Sequence, residues 1–183
     1  MTGASQSSEL QRLRRLALPA VALLFIALSI WLLRLDLMLR NDAAPNGIVS
    51  FELAGNGERA QAMIDSWSPS AREAVMLIQG LDYLYLLVYP AFLSLLCFKL
   101  ADQIGGGWGR AGTSLGSGVW LCAPFDAVEN QALIAQVMHG ASDELARRAY
   151  LAAVPKFLFF TLAVAFVLAA GTVALLRRGG RAV

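Results

Sequence analysis

The sequence predicts an all-α integral membrane protein, a four-helix bundle in up-down order with a small extracytoplasmic cap between the first and second spans. Of its 183 residues, 57% are hydrophobic and 15% are charged, against about 45–50% and 25% in typical soluble domains. A core this small cannot bury such an apolar surplus. Four apolar stretches approach the length that crosses a bilayer, about 20 residues, and basic residues favour one side of them.

The four stretches are predicted to span the membrane as one domain, at about residues 16–38, 75–98, 115–138 and 157–176. Arg34, Asp36 and Arg40 follow the first stretch where a cleaved signal peptide would carry small residues, so we expect it to remain as a span. The third stretch is the most polar of the four. It contains five acidic or amide side chains, which are Asp126, Glu129, Asn130, Gln131 and Gln136.

The basic residues set the predicted orientation. With four crossings, both chain ends and the loop between the second and third spans lie on one side. That side carries eight basic residues, which are Arg12, Arg14, Arg15, Lys99, Arg110, Arg177, Arg178 and Arg181. The opposite side carries five basic and seven acidic residues. Because Lys and Arg are retained on the cytoplasmic side, the sequence predicts a multi-pass protein of the cell inner membrane with both termini in the cytoplasm.

The predicted outer segment covers residues 41–74. Residues 48–53 have a strand-like pattern, and Asn56 is a typical N-cap for a short helix at 57–67. One side of that helix is apolar and comprises Ala60, Met63, Ile64 and Trp67. Ser68-Pro69 starts a further helix that runs into the second span. Two interpretations remain open: a small cap over the bundle, or an ordered connector on the membrane surface.

A glycine-rich cytoplasmic loop is predicted at residues 101–114. It lacks the lysine and the spacing of a phosphate-binding loop. Gly112 and Gly116 lie four residues apart, a spacing that lets another helix approach closely. A flexible hinge followed by a closely packed helix is therefore the expected structure.

Polar side chains inside the spans form the candidate site, because ionisable groups are costly in a bilayer and mark functional positions. Helical spacing aligns Asp82 with two tyrosines in the second span and Asp126 with Glu129 in the third. A rise of 1.5 Å per residue puts Asp82 about 10 Å and Glu129 about 13 Å from the outer face. The predicted site residues are Asp82, Tyr85, Tyr89, Asp126, Glu129, Asn130, Arg34 and Lys156.

Two interpretations of this polar group are open. The first is a pocket between the second and third spans, open to the outside, that handles protons or a ligand. The second is a structural network in which the acids bond to Tyr85, Tyr89, Asn130 and Arg34 and fix the helix register. Burial disfavours an unpaired carboxylate in either case.

The sequence assigns no catalytic residue, no metal site and no cofactor. Ser114 lies in a GxSxG pattern, but a serine hydrolase needs a base within hydrogen-bond reach. His139, the one histidine, lies 25 residues away, which is about 37 Å along a helix. Cys97 and Cys122 lack metal-ligand spacing. The net charge of +2, without a basic stripe, excludes a nucleic-acid partner.

The sequence therefore favours a non-enzymatic accessory protein, or one that binds a lipid or small hydrophobic molecule, with a polar network inside the membrane. A small proton-coupled transporter that uses Asp82, Asp126 and Glu129 is the first alternative, and its four spans imply dimerisation. An enzyme that modifies lipids at the outer leaflet is the second. The expected partners are membrane lipid and either a second copy of the chain or a larger membrane complex.

Overall fold

The computed structural model describes the backbone of residues 2–179 and the side chains of residues 16–177. Within that range the chain is all-helical, as predicted, and contains no strand. Its helices are α1 (Thr2–Asp36), α2 (Ile48–Glu52), α3 (Gly57–Ser66), α4 (Pro69–Ile104), α5 (Gly106–Gly118), α6 (Cys122–His139) and α7 (Asp143–Gly179). A 3-10 turn, Val119–Leu121, joins α5 to α6. The basic side chains of Arg12, Arg14, Arg15, Arg178 and Arg181 lie outside the described set.

Three of the described helices are long and apolar enough to cross a membrane. They are Leu16–Asp36 within α1, with a mean hydropathy of 2.6, Pro69–Ile104 with 1.9, and Asp143–Arg177 within α7 with 2.4. They coincide with the predicted first, second and fourth spans. At 1.5 Å per residue, α4 and α7 are each about 55 Å long, well beyond the roughly 30 Å of a hydrocarbon layer.

The predicted third span, residues 115–138, is helical but does not meet the same criterion of length and hydropathy. The 3-10 turn divides it because Pro124 lacks the N–H that would bond to the carbonyl of Trp120. α6 packs against α4 and α7. Its inward face buries four polar residues, which are Asp126, Glu129, Asn130 and Gln136.

The glycine-rich stretch at 101–114, predicted as a loop, is helical on both sides of Gly105. α4 continues to Ile104, and α5 begins at Gly106. Only Gly105 and Gly106 have positive φ angles there, 69° and 59°, which glycine adopts without a steric penalty. The loop prediction fails because tertiary packing of α5 offsets the low helix propensity of glycine.

The predicted close approach at Gly112 and Gly116 is confirmed: α4 approaches at both positions, and Phe166 of α7 also lies close to Gly112. A Cβ atom added to Gly112 would lie 2.6 Å from Phe166 Cζ and 2.9 Å from Ala101 Cβ. A Cβ added to Gly116 would lie 3.1 Å from Cys97 Cβ. A side chain at either position would therefore force the helices apart.

The segment predicted to be strand-like, residues 48–53, is the short helix α2 followed by a turn. Asp36, at the end of α1, accepts a hydrogen bond from the Ile48 amide at 2.7 Å, so the first amide of α2 has a carboxylate partner. Phe51 and Glu52 of α2 are buried. The strand prediction is wrong because it reads only local alternation, whereas the helix is fixed by a contact 12 residues away.

The helix predicted after Asn56 is confirmed as α3. The Asn56 side chain accepts a hydrogen bond from the Arg59 amide at 2.9 Å, as an N-cap does. The predicted apolar side is buried: Ala60, Met63, Ile64 and, at the C-cap, Trp67. Because the Gly57 amide donates to Asp143 Oδ1 at 2.7 Å, α3 lies directly beside the start of α7.

Two apolar cores hold the helices together. The cap-side core joins α2 and α3 to α4 and α6, and it includes Phe51, Ile64, Trp67, Val75, Ile78 and Leu133. The glycine-side core joins α4 to the 3-10 turn, α6 and α7, and it includes Leu86, Leu93, Cys97, Val119, Cys122 and Phe166. Along α4, α6 and α7, the polar residues fall between these two cores.

Candidate functional site

Lys156 of α7 lies at the centre of the polar residues. Its ammonium is 2.8 Å from Glu129, 3.1 Å from Asp126 and 3.5 Å from Glu52. Glu129 is fully buried, and the other three residues are at most 8% exposed. Two helices, α2 and α6, therefore supply three carboxylates to the one ammonium of α7. We call Lys156, Glu52, Asp126 and Glu129 the lysine cluster.

Two further hydrogen bonds join α4 to α6. The Tyr89 hydroxyl donates to Asp126 Oδ2 at 3.0 Å, and the Asn130 amide donates to Asp82 Oδ2 at 2.6 Å. Asp126 thus accepts from both α4 and α7. Asp82 is paired with the Asn130 amide and makes no salt bridge to Lys156, so among the described residues four carboxyl groups lie in the region of one buried ammonium.

A cavity of about 380 Å³ opens beside the lysine cluster, within the range of about 300–1,000 Å³ that ligand sites occupy. Most of its wall is apolar, and residues of both α1 and α7 line it. The apolar and aromatic lining includes Leu32, Leu33, Ile48, Val49, Ile78, Phe157 and Phe160. At its edge Arg40 lies 2.9 Å from Asp36. The cavity therefore has a mainly apolar wall and an acidic part, formed by Glu52, Asp82 and Asp126, that we call its acidic floor.

Most of the predicted site residues come together around this cavity. Six of the eight line it, and these are Asp82, Tyr85, Tyr89, Asp126, Asn130 and Lys156. Glu129 lies behind Lys156 as its nearest partner. Tyr85 shares its hydrogen bond with Ser29 of α1, at 2.9 Å, and not with an acid. The predicted wall was also too small, because α1, α2 and α7 line the cavity as well as α4 and α6.

The structure does not place Arg34 with the other predicted site residues. Arg34 is exposed near the end of α1 and does not line the cavity. Asp36 faces inward in its place, two residues further on, and Arg40 follows one turn later. A rotation of about 100° per residue separates Arg34 and Asp36 by roughly 200° around the helix, so only one of them can face α2.

Sequence reasoning missed Glu52 and assigned no role to the Asp36–Arg40 pair. Glu52 lies in the segment that was predicted to be a strand, outside the predicted spans. One signal was available: Glu52 is the only charged residue within 48–53. Its neighbour Phe51 is buried, and Glu52 lies on the same short helix with its carboxylate close to the protein interior.

Several buried polar atoms lack a hydrogen-bond partner among the described residues. They include Glu52 Oε2 and Gln79 Oε1, whose residues both line the cavity. Gln136 of α6 also lacks partners for its amide, but it does not line the cavity. An unsatisfied buried oxygen costs about 1–3 kcal/mol. The two cavity oxygens can therefore accept hydrogen bonds from a bound donor.

The arrangement is chemically suited to holding protons or a cation beside an apolar surface. In the part of the chain described, no group of three or more His, Cys, Asp or Glu residues is placed to hold a metal ion. Cys97 and Cys122 are both buried as free thiols. No protein-family model, curated protein or solved structure matches this chain.

Proposed function

We propose that the chain crosses a bilayer four times in up-down order, with α5 and α6 forming the third crossing and both ends on the cytoplasmic side of the inner membrane. Two contacts support this topology. Gly57 bonds to Asp143 beside the cap, and Arg177 donates to the Ile104 carbonyl at 3.0 Å. The end of the protein at which Arg177 meets Ile104 also carries Lys99, consistent with retention of basic residues in the cytoplasm.

Cysteine labelling tests the topology. In a background without Cys97 and Cys122, an impermeant maleimide added to intact spheroplasts is expected to label Glu144→Cys but not Val183→Cys. Permeabilisation is then expected to expose Val183→Cys. If α6 stays on one side of the membrane, the pattern reverses: Val183→Cys is labelled from outside and Glu144→Cys is not.

We further propose that the protein binds a lipid-like amphiphile, with its head against the lysine cluster and its tail between α1 and α7. The observation that carries the proposal is the shape and chemistry of the cavity, about 380 Å³ with an acidic floor and a mainly apolar wall. A purely structural network needs no such space. An amphiphile would place its polar head against the acidic floor and its tail against the apolar wall. Burial of each methylene of the tail is favourable by about 0.8 kcal/mol.

Lateral access from the bilayer supports a lipid-like ligand. α1 packs mainly against α4 and makes little contact with α7 in the described residues. On the α1 side the cavity is lined by Ser29, Leu32 and Leu33, and on the α7 side by Phe157 and Phe160. A ligand dissolved in the bilayer can therefore reach the acidic floor without crossing water.

Native mass spectrometry of the gently solubilised protein tests ligand binding and also reports the copy number. Leu33→Trp should fill the cavity and remove a retained amphiphile. Ile30→Trp is the matched control, because Leu33 and Ile30 lie on the same helix with exposures of 54% and 52% and only Leu33 lines the cavity. Equal retention by both variants, or no adduct on the native protein, would refute binding in this cavity.

Proton-coupled transport is the second candidate. Four carboxyl groups around one ammonium favour it, because burial allows so many negative charges only when some are neutralised. If the chain carries protons, liposomes containing it should show a proton flux that Asp126→Asn abolishes. The exposed Asp42→Asn variant is the control. A flux unaffected by Asp126→Asn would exclude this role.

A further inference from the structure

The ammonium of Lys156 has no N–H group to spare for a ligand. A lysine ammonium has three N–H donors, and its three acceptors are Glu129 Oε1 at 2.8 Å, Asp126 Oδ1 at 3.1 Å and Glu52 Oε1 at 3.5 Å. An anionic head group would therefore gain no hydrogen bond from Lys156. It would also face the carboxylates that surround that lysine.

Among the described residues that line the cavity, the buried side-chain atoms without a hydrogen-bond partner are acceptors. Gln79 is 1% exposed and Glu52 is 8% exposed, and neither Gln79 Oε1 nor Glu52 Oε2 has a hydrogen-bond partner among the described residues. Both side chains end in a torsion with a broad energy minimum, so a small rotation turns either oxygen toward a ligand. Asp82 lines the same space one turn beyond Gln79.

The balance of charges also favours a cationic ligand. Glu52, Asp82, Asp126 and Glu129 surround one ammonium. At full ionisation, the four carboxylates exceed the single cation by three charges. A bound cation that also donates hydrogen bonds would offset part of this excess and satisfy the two oxygens, because charge-assisted hydrogen bonds are the strong ones.

We propose that the amphiphile of this cavity carries a primary ammonium head group, which donates to Glu52 Oε2 and Gln79 Oε1 beside Asp82. The inference rests on the proposed ligand-binding function and names its substrate class. A quaternary ammonium has the charge but no N–H, and an alcohol has a donor but no charge. A carboxylate has the wrong charge. Of these four head groups, only the primary ammonium has both a positive charge and N–H donors.

Four amphiphiles of equal chain length separate these possibilities: dodecylamine, dodecyltrimethylammonium, dodecanol and dodecanoate. Each is titrated into the full chain in phosphatidylcholine nanodiscs, and its Kd is measured by native mass spectrometry. We expect dodecylamine to bind at least about tenfold more tightly than the other three, the effect of one charge-assisted hydrogen bond. If dodecyltrimethylammonium, dodecanol or dodecanoate binds as tightly as the amine, the head-group proposal is overturned while amphiphile binding stands.

Binding of none of the four would instead count against amphiphile binding itself, so the two failures are distinguishable. Sodium chloride provides a further check. If it displaces dodecylamine at equal ionic strength while choline chloride does not, the oxygens bind an inorganic cation and the proposal is wrong. Equal weak effects of both salts are expected from screening alone.

A pair of glutamine variants tests the named acceptor. Gln79→Leu is expected to weaken dodecylamine binding about tenfold and to leave dodecanol binding unchanged. Gln136→Leu is the matched control, because Gln136 is also buried and also has an amide oxygen without a partner but does not line the cavity. Both changes remove an unsatisfied polar group, so both variants should fold. An equal loss of amine binding in the two variants would overturn the assignment.

The source of the ammonium can be a membrane lipid or a free amphiphilic amine, which share the same head-group chemistry. Nanodiscs with equal amounts of phosphatidylethanolamine and phosphatidylcholine distinguish them. Selective retention of phosphatidylethanolamine identifies the lipid as the source. Retention of neither lipid, together with tight binding of dodecylamine, identifies a free amine. Selective retention of phosphatidylcholine would contradict the proposal.

Discussion

The two halves of α4 meet their neighbours in opposite ways. Around Cys97 and Ala101, α5 approaches so closely that a methyl group on Gly112 would fall 2.9 Å from the Ala101 side chain. Between Gln79 and Tyr89, the same helix faces a cavity of about 380 Å³. Only about 12 Å of helix, eight residues, separates Tyr89 from Cys97.

Side-chain size and charge account for the difference. The glycine-side contact uses residues with little or no side chain, so backbones approach and dispersion contacts hold them. The cavity half carries long polar side chains, which must keep their partners at hydrogen-bonding distance and so hold the helices apart. One helix can therefore be a rigid packing element at one end and the wall of a binding site at the other.

The largest expected effect comes from removing the cation of the polar half. Lys156→Met leaves the carboxylates of Glu52, Asp126 and Glu129 without their shared partner. We expect the free energy of unfolding in mixed micelles to fall by about 3–5 kcal/mol, as when one member of a buried ion pair is removed. Lys99→Met, at an exposed position of α4, is the control and should change little.

Neutralising the acids should restore the stability that Lys156→Met removes. In the triple variant Lys156→Met, Asp126→Asn, Glu129→Gln, the remaining charge next to the cavity is smaller, so we expect most of the loss to be recovered. If the single variant unfolds at the same denaturant concentration as the native protein, the lysine cluster does not hold these helices together.

A smaller effect is expected in the glycine half. Gly112→Ala should lower the free energy of unfolding by about 1–3 kcal/mol, as overpacking does, because its Cβ would lie 2.6 Å from Phe166 and 2.9 Å from Ala101. Gly118→Ala lies on the same helix with nothing within 4 Å of its Cβ. It should be neutral or stabilising, since alanine favours helix. Equal stability of the two variants would mean that α5 does not pack tightly on α4.

The smallest of these effects concerns α2, whose residues Ile48, Val49 and Glu52 line the cavity. Asp36→Ala removes the acceptor for the Ile48 amide and should destabilise α2 by about 0.5–2 kcal/mol, the usual cost of a lost N-cap. Hydrogen exchange at residues 48–52 should accelerate while exchange in α4 stays constant. Asp42→Ala, at an exposed position, is the control. Unchanged exchange in α2 after loss of Asp36 would show that the carboxylate is not its anchor.

The sequence predicts the polar residues of α6 and α7 better than the segments of α1 and α2 that also line the cavity. Asp126 and Glu129 are three residues apart, so helical periodicity alone gives them one face. Lys156 follows from its position near the end of a span. Arg34 could not be distinguished from Asp36, because residues 16–33 of α1 carry no charge and offer no amphipathic stripe to set the rotation of the helix.

Contacts between distant segments explain the remaining errors. Glu52 joins Lys156 across 104 residues, and local alternation in 48–53 carries no information about that partner. The glycine-rich residues of α5 are intrinsically poor helix formers, and they are helical because α4 offers Cys97 and Ala101 as a close-fitting surface. Neither the lysine partner of Glu52 nor the surface of α4 that contacts α5 can be inferred from the local sequence of the segment concerned.

A structure of the protein determined in lipid nanodiscs that contain a primary-amine amphiphile tests the central claim most directly. We expect elongated density between α1 and α7, with its polar end within hydrogen-bond distance of Gln79 and Glu52. The contrary result is α1 packed flush against α7, with the Gln79 amide bonded inside the protein and no space left beside Lys156.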